Sequence, residues 1–158
     1  MERYCAIVKA PVEIRPAVAA DAASVDRIAR EAYAQYVPRI GREPAPMTAD
    51  HAVLIARREV WVAVEGVTLC GFVVLRAGSQ SLLLESVAVP APHRGRGVGR
   101  ALIGFAERHA RELGLRSVEL YTNALMTENL SHYPRLGYIQ CDRRSEHGFD
   151  RVYFRKAV

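Results

Sequence analysis

The sequence predicts an α/β chain: one mixed, mostly antiparallel sheet of about seven strands flanked by four helices, in the order β-α-α-β-β-β-α-β-α-β-β. Three observations lead there. Short segments rich in Val, Leu and Ile carry the apolar runs and alternations of strands. Between them lie stretches whose apolar residues recur every three or four positions, as on helices. Gly, Pro, Asp and Ser punctuate the joints. With 158 residues, half of them apolar, the chain reads as a single domain, residues 1–158, with 1–11 as an N-terminal extension.

Val12, Glu13, Ile14 and Arg15 alternate apolar with charged and open the sheet. Asp21 is placed to cap a helix whose Val25, Ile28, Ala29, Ala32 and Tyr36 share one face. Residues 37–47, with Pro38, Gly41, Pro44 and Pro46, read as a loop, and Thr48 as the cap of a second helix running to about residue 58. Residues 60–64, 69–76 and 81–89 read as three strands joined at Glu65-Gly66 and Gly78-Ser79, an antiparallel meander. After Pro90 and Pro92, the stripe Ala101, Leu102, Phe105, Ala106, His109 and Leu113 marks a long helix that Gly114 stops. A strand at 117–121, a short helix at 127–136 and a hairpin pairing 138–143 with 151–155 around Gly148 complete the chain.

The formal net charge of +5 comes mainly from arginine and implies an anionic partner. Nucleic acid and a small polyphosphate would use that charge equally, but no nucleic-acid recognition motif is present, so no nucleic-acid partner is expected. No segment has the length and apolarity of a signal peptide or a membrane span, so no membrane association is expected. Cys5, Cys70 and Cys141 are odd in number and lack metal-ligand spacing, which suggests reduced thiols, a cytoplasmic location and no metal.

The segment Arg94-Gly95-Arg96-Gly97-Val98-Gly99 follows a strand and opens a helix. Such a turn binds phosphate, because free amides at the helix start converge and the helix dipole favours negative charge there. A nucleoside-triphosphate loop needs Lys then Ser or Thr, whereas Gly99 is followed by Arg100 and Ala101. A dinucleotide fingerprint needs a third glycine three residues after the second, and Arg100 and Leu102 do not supply it.

What remains, Arg94-x-x-Gly97-x-Gly99 after the strand ending Val87-Ala88-Val89-Pro90, resembles the signature of the GCN5-related N-acetyltransferase superfamily. The resemblance spans about Ile14 to the C-terminus and includes the element order. It implies acetyl-CoA as co-substrate, its diphosphate on Arg94, Gly95, Arg96, Gly97, Val98, Gly99 and Arg100, and its pantetheine arm along the backbone of Val87, Ala88 and Val89. A second family signature, a tyrosine followed after three residues by glycine and an aromatic, is matched by Tyr133, Gly137 and Tyr138. By that resemblance Tyr133 is the general acid toward the departing thiolate, a role a phenol near the sulfur can fill. The family often carries asparagine seven residues earlier, but position 126 is Met, so either Asn129, ranked first, or Asn123 makes that cofactor contact, or the contact is absent.

An acceptor ammonium must lose a proton before it attacks, which calls for a base. Glu85 is the first candidate because it interrupts the apolar run 82–89, where partial burial would raise its pKa; Glu119 is the second. His51, His132 and His147 have no partner spacing and read as surface residues. In relatives the segment between the first two helices lines the acceptor site, which points to Tyr36, Arg39 and Met47 as substrate contacts. Arg143, Arg144, Arg151 and Arg155 either meet an acidic substrate or are solvated hairpin charges. The expectation is direct acetyl transfer to a primary amine in a ternary complex, with homodimerisation through the hairpin; the alternative is a non-catalytic acyl-CoA-binding or sensing module.

Overall fold

The computed structural model describes residues 12–158, so Cys5 and the N-terminal extension lie outside the described residues. Seven strands form the sheet: β1 (Glu13–Pro16), β2 (Val60–Glu65), β3 (Thr68–Ala77), β4 (Ser81–Ala88), β5 (Ser117–Asn123), β6 (Ile139–Glu146) and β7 (Phe149–Ala157). Their spatial order is β1-β2-β3-β4-β5-β7-β6. Every neighbouring pair is antiparallel except β4 and β5, whose parallel pairing requires the long crossover that a helix supplies.

The helices are α1 (Ala22–Tyr33), α2 (Val37–Ile40), α3 (Ala45–Thr48), α4 (His51–Ala56), α5 (Val98–Glu112) and α6 (Thr127–Arg135). On one face, Val25 and Ile28 of α1 and Ile55 of α4 pack on Val62, Phe72 and Val74. On the other, Leu102 and Ala106 of α5 pack on Val73, Leu75, Leu84 and Leu120. Each buried Leu or Ile there contributes about 1.5–3 kcal/mol by leaving water. Gly71 of β3 sets how closely α5 approaches: a Cβ on it would lie 2.9 Å from the Ala88 carbonyl oxygen and 3.1 Å from Leu102 Cδ1.

Several local expectations are corrected. Residues 37–47 are not an irregular loop but contain α2 and α3, each with a proline in its first turn, where the missing N–H costs nothing. Thr48 ends α3 and Ala49 is extended, so the cap of α4 is Asp50, whose carboxylate accepts from the Val53 N–H at 3.2 Å. That helix stops at Ala56, and Arg58 turns the chain with φ 60. The Asp21 side chain does not cap α1; it turns back to accept from the Val18 N–H and from Arg15, both at 2.8 Å. Tyr36 lies past the end of α1, on the 3-10 turn Ala34–Tyr36.

Two irregularities open the sheet on β4, the strand that leads toward the glycine-rich segment. Val74 pairs with Ser86 but Leu75 with Leu84, so Glu85 is the extra residue of a β-bulge. Pairing between β4 and β5 stops at Leu84 and Leu120, although both strands run on, to Ala88 and Asn123. The strands part, and their facing edges carry backbone groups without a ladder partner.

Candidate active site

A cavity of about 110 Å³ fills the gap between the parted strands. Glu85, Ser86 and Val87 line it from β4, Tyr121, Thr122 and Asn123 from β5, and Met126, Asn129 and Tyr133 from α6. The bulge brings Glu85 and Ser86 to the same cavity, which strict alternation along a strand forbids.

Beyond the cavity, β4 leads through Val87 and Ala88 to the glycine-rich loop and the N-terminus of α5. Gly97 is its N-cap in the left-handed region, φ 82, a conformation a side chain resists. The first backbone bond across that cap runs from Ala101 N to the Gly97 carbonyl at 2.9 Å. The amides of Val98, Gly99 and Arg100 therefore precede the helical ladder and are free to bind an anion. A Cβ added at Gly95 or Gly97 would touch nothing within 4 Å, so the space above the loop is open. Arg94 ties the loop to the strand by donating from Nε to the Val89 carbonyl at 3.1 Å. Among the described residues no carboxylate lies within 4.0 Å of Arg94, Arg96 or Arg100, and this positive end suits a diphosphate.

Tyr133 sits at the end of α6 against Tyr138 and Phe154, with ring centroids 6.0 and 5.8 Å away. It is 6% exposed, and burial pushes its phenol up to about 12. Such a group holds its proton throughout the neutral range and serves as a donor. Its hydroxyl makes no hydrogen bond to another described residue, in contrast to Tyr33, whose hydroxyl donates to the Val87 carbonyl at 2.9 Å. Ala88, next along β4, pairs with Phe72 on the other edge.

Glu85 lines the cavity but is not isolated: Arg76 places a guanidinium nitrogen 3.0 Å from Oε2, without hydrogen-bond alignment. Glu119 does not line the cavity and pairs with Arg155 at 3.1 Å. Asn129 and Asn123 both line the cavity and are both engaged. Asn129 donates from Nδ2 to Thr122 Oγ1 at 3.0 Å, while Asn123 accepts from the Leu125 N–H at 2.9 Å. Met126, buried at 6%, receives the Thr122 hydroxyl on its sulfur at 3.6 Å.

Tyr36, Arg39 and Met47 do not line the cavity; Pro44, Ala45, Pro46 and Ala49 from the same segment do. Arg39 instead holds Glu128 of α6 at 2.9 Å, with Tyr36 beneath its guanidinium at 5.2 Å. Arg42 donates to the His147 carbonyl and stacks on Phe149 at 3.5 Å, which docks the segment on the β6–β7 turn. The hairpin arginines are paired: Arg143 with Asp150 at 2.6 Å, Arg144 with Asp142 at 2.6 Å, Arg151 with Glu146 at 3.1 Å and Arg155 with Glu119 at 3.1 Å. Arg151 and Phe149 also line the cavity.

His51 is a correction. It is 2% exposed, lines the cavity, and its Nδ1 lies 2.6 Å from Asp26 Oδ1. Nothing in the spacing of two residues 25 positions apart announces such a pair. Tyr33 had a signal that went unused, since it stands four residues after Ala29 on the apolar stripe.

A model of the acetyltransferase (GNAT) family matches residues 25–138, which hold both the glycine loop and Tyr133. The chain belongs to that family. Among GNAT relatives, it is 33% identical over 87 residues to probable N-acetyltransferase 14 of Xenopus tropicalis, covering 53% of this chain and 42% of that one. It is also 33% identical over 88 residues to streptothricin acetyltransferase of Streptomyces lavendulae, covering 54% and 46%. The matches thus span less than half the length of either relative. The fold is shared with the PaiA N-acetyltransferase of Thermoplasma acidophilum, solved in complex with coenzyme A: TM-score 0.77, 18% identity, covering 94% of this chain and 99% of that one.

Proposed function

We propose that this GNAT protein transfers the acetyl group of acetyl-CoA to a primary amine by direct attack within a ternary complex. One observation carries the reading: the uncommitted Tyr133 hydroxyl lines a cavity between the same parted strands whose β4 end runs into the free amides of α5. The diphosphate is assigned to the amides of residues 95–100 with Arg94, Arg96 and Arg100 around them. The pantetheine arm is assigned to the β4 edge at Val87, Ala88 and Val89, with Asn129, on α6 with Tyr133, the first of the two asparagine candidates. Tyr36, Arg39 and Met47 remain in this proposal as supports of the acceptor wall.

The amine nitrogen forms its bond to the acetyl carbon as the carbon–sulfur bond breaks. Tyr133 gives its proton to the sulfur and regains one from the nitrogen that is becoming an amide. Because an alkyl amine arrives as an ammonium, one further proton must leave beforehand. A cytoplasmic location and homodimerisation through the hairpin belong to the same proposal; Cys70 and Cys141 are free thiols.

Thiol release from acetyl-CoA with spermidine, lysine, an aminoglycoside or an alanine-led tripeptide tests the reading. Acceptor-dependent release with at least one of them is expected. Tight binding of CoA with no release for any amine would replace the enzyme with an acyl-CoA-binding module.

A further inference from the structure

We propose that His51, oriented by Asp26, is the proton acceptor on the amine side of the reaction; this rests on the acetyl-transfer reading above. His51 stands in the first turn of α4, its ring edge-on to Phe72 with centroids 5.4 Å apart. A carboxylate can only accept, so the 2.6 Å contact with Asp26 fixes the ring proton on Nδ1. In the neutral ring, Nε2 then keeps a lone pair. Nε2 is buried and has no hydrogen-bond partner. Leaving such an atom unpaired is costly unless something supplies the missing partner.

Position completes the argument. His51 lines the cavity, whereas the Asp26 side chain is 45% exposed on α1, so the pair links the cavity to solvent. An acceptor ammonium in the cavity supplies the missing donor. Its proton passes to Nε2, the ring becomes an imidazolium held by the Asp26 carboxylate, and the freed amine keeps the electron pair it uses to attack. The proton returns to bulk water after product leaves. Glu85, the rival base, already faces Arg76 at 3.0 Å.

The other ionisable groups around His51 are Asp50 beside it in the α4 cap and, lining the cavity, Glu85, Arg151, Tyr33, Tyr121 and Tyr133. From β3, Phe72 packs edge-on to His51 and Val74 lines the cavity, while Arg76 pairs with Glu85.

The test measures kcat and kcat/KM against pH with acetyl-CoA and spermidine, lysine or an alanine-led tripeptide, for wild type, His51→Phe and Asp26→Asn. His51→Phe is expected to lower kcat about 10²-fold, leave CoA affinity unchanged and abolish the acidic limb of the profile. Asp26→Asn changes only a half-exposed carboxylate and is expected to fold, to lose about tenfold in kcat and to alter the acidic limb, because the ring loses the acceptor that orients its Nδ1–H. An unchanged limb and rate in Asp26→Asn overturns the proposal even if His51→Phe fails to fold, as does a folded His51→Phe with wild-type kcat. Absence of thiol release by the wild type with these three amines and with an aminoglycoside overturns the acetyl-transfer reading itself, and this proposal with it; that failure is seen before any variant is made.

Discussion

The two ends of the proposed site, one for the cofactor and one for the acceptor, are built in different ways. The cofactor end is one continuous stretch, residues 85–100: bulge, parted strand, glycine loop and helix start. The acceptor end is assembled from Tyr33, the 44–49 segment, His51, Phe149 and Arg151, brought together only by folding. In that proposal backbone amides hold the cofactor at the first end, so the requirement there is for absent side chains at fixed spacing. At the second end the proposal rests on side chains, and their positions depend on interlocks such as Arg42 on Phe149 and Arg151 with Glu146. A chain can therefore keep its cofactor end while the acceptor end is rebuilt, and substitutions at the two ends should separate in their kinetics.

Tyr133 stands where the ends meet, and its substitution should cut across the division. Tyr133→Phe is expected to lower kcat by about 10²-fold with every acceptor while leaving CoA affinity unchanged in equilibrium binding. Because burial raises the phenol to about 12, its proton is retained until the pH approaches that value. At saturating acceptor, Tyr133 itself should therefore cause no alkaline fall in kcat up to about pH 10. An effect confined to one acceptor would move Tyr133 to the acceptor end.

Gly71 and Gly97 probe the cofactor end alone. Gly71→Ala forces a Cβ to within 2.9 Å of the Ala88 carbonyl and pushes α5 from the sheet. It should cost about 1–3 kcal/mol in urea unfolding and weaken CoA binding as well. Gly97→Ala leaves the packing untouched, since its Cβ would meet nothing, but strains the φ 82 cap. About tenfold weaker CoA binding, with acceptor KM unchanged once CoA is saturating, is expected from steady-state kinetics. Equal losses for both ligands would show that the ends are coupled.

The same contrast explains what the sequence disclosed. All seven strands were legible because apolar runs and turn residues are local signals, and the glycine loop because its spacing excludes other phosphate sites. The bulge at Glu85 was not legible: it shows only as a shift in pairing with β3, and nothing in the run 82–89 marks an extra residue. Residues 37–47 misled through composition, since proline signals loops and helix first turns alike. Asp26 with His51, like Arg42 with Phe149, joins elements far apart in the chain, and single-sequence spacing carries no trace of such pairs.

The smallest expected effect is the one that tests whether the acceptor end is held together by its rim. Arg39 reaches Glu128 with both carboxylate oxygens at 2.9 Å and the Leu125 carbonyl at 3.2 Å, joining α2 to the first turn of α6. The pair is exposed, 39% for Arg39 and 57% for Glu128, so screening by water leaves it little weight in global stability. Its position matters more, because α6 carries Asn129 and Tyr133 while the chain after α2 supplies Pro44, Ala45 and Pro46 to the cavity. Arg39→Ala should leave the urea midpoint and CoA affinity near wild type and raise acceptor KM by about two- to fivefold, more at low salt than at high, as an exposed ion pair requires. If kcat fell with KM unchanged, the contact would be aligning Tyr133 rather than closing the acceptor end, and Arg39 would belong with the junction between the two.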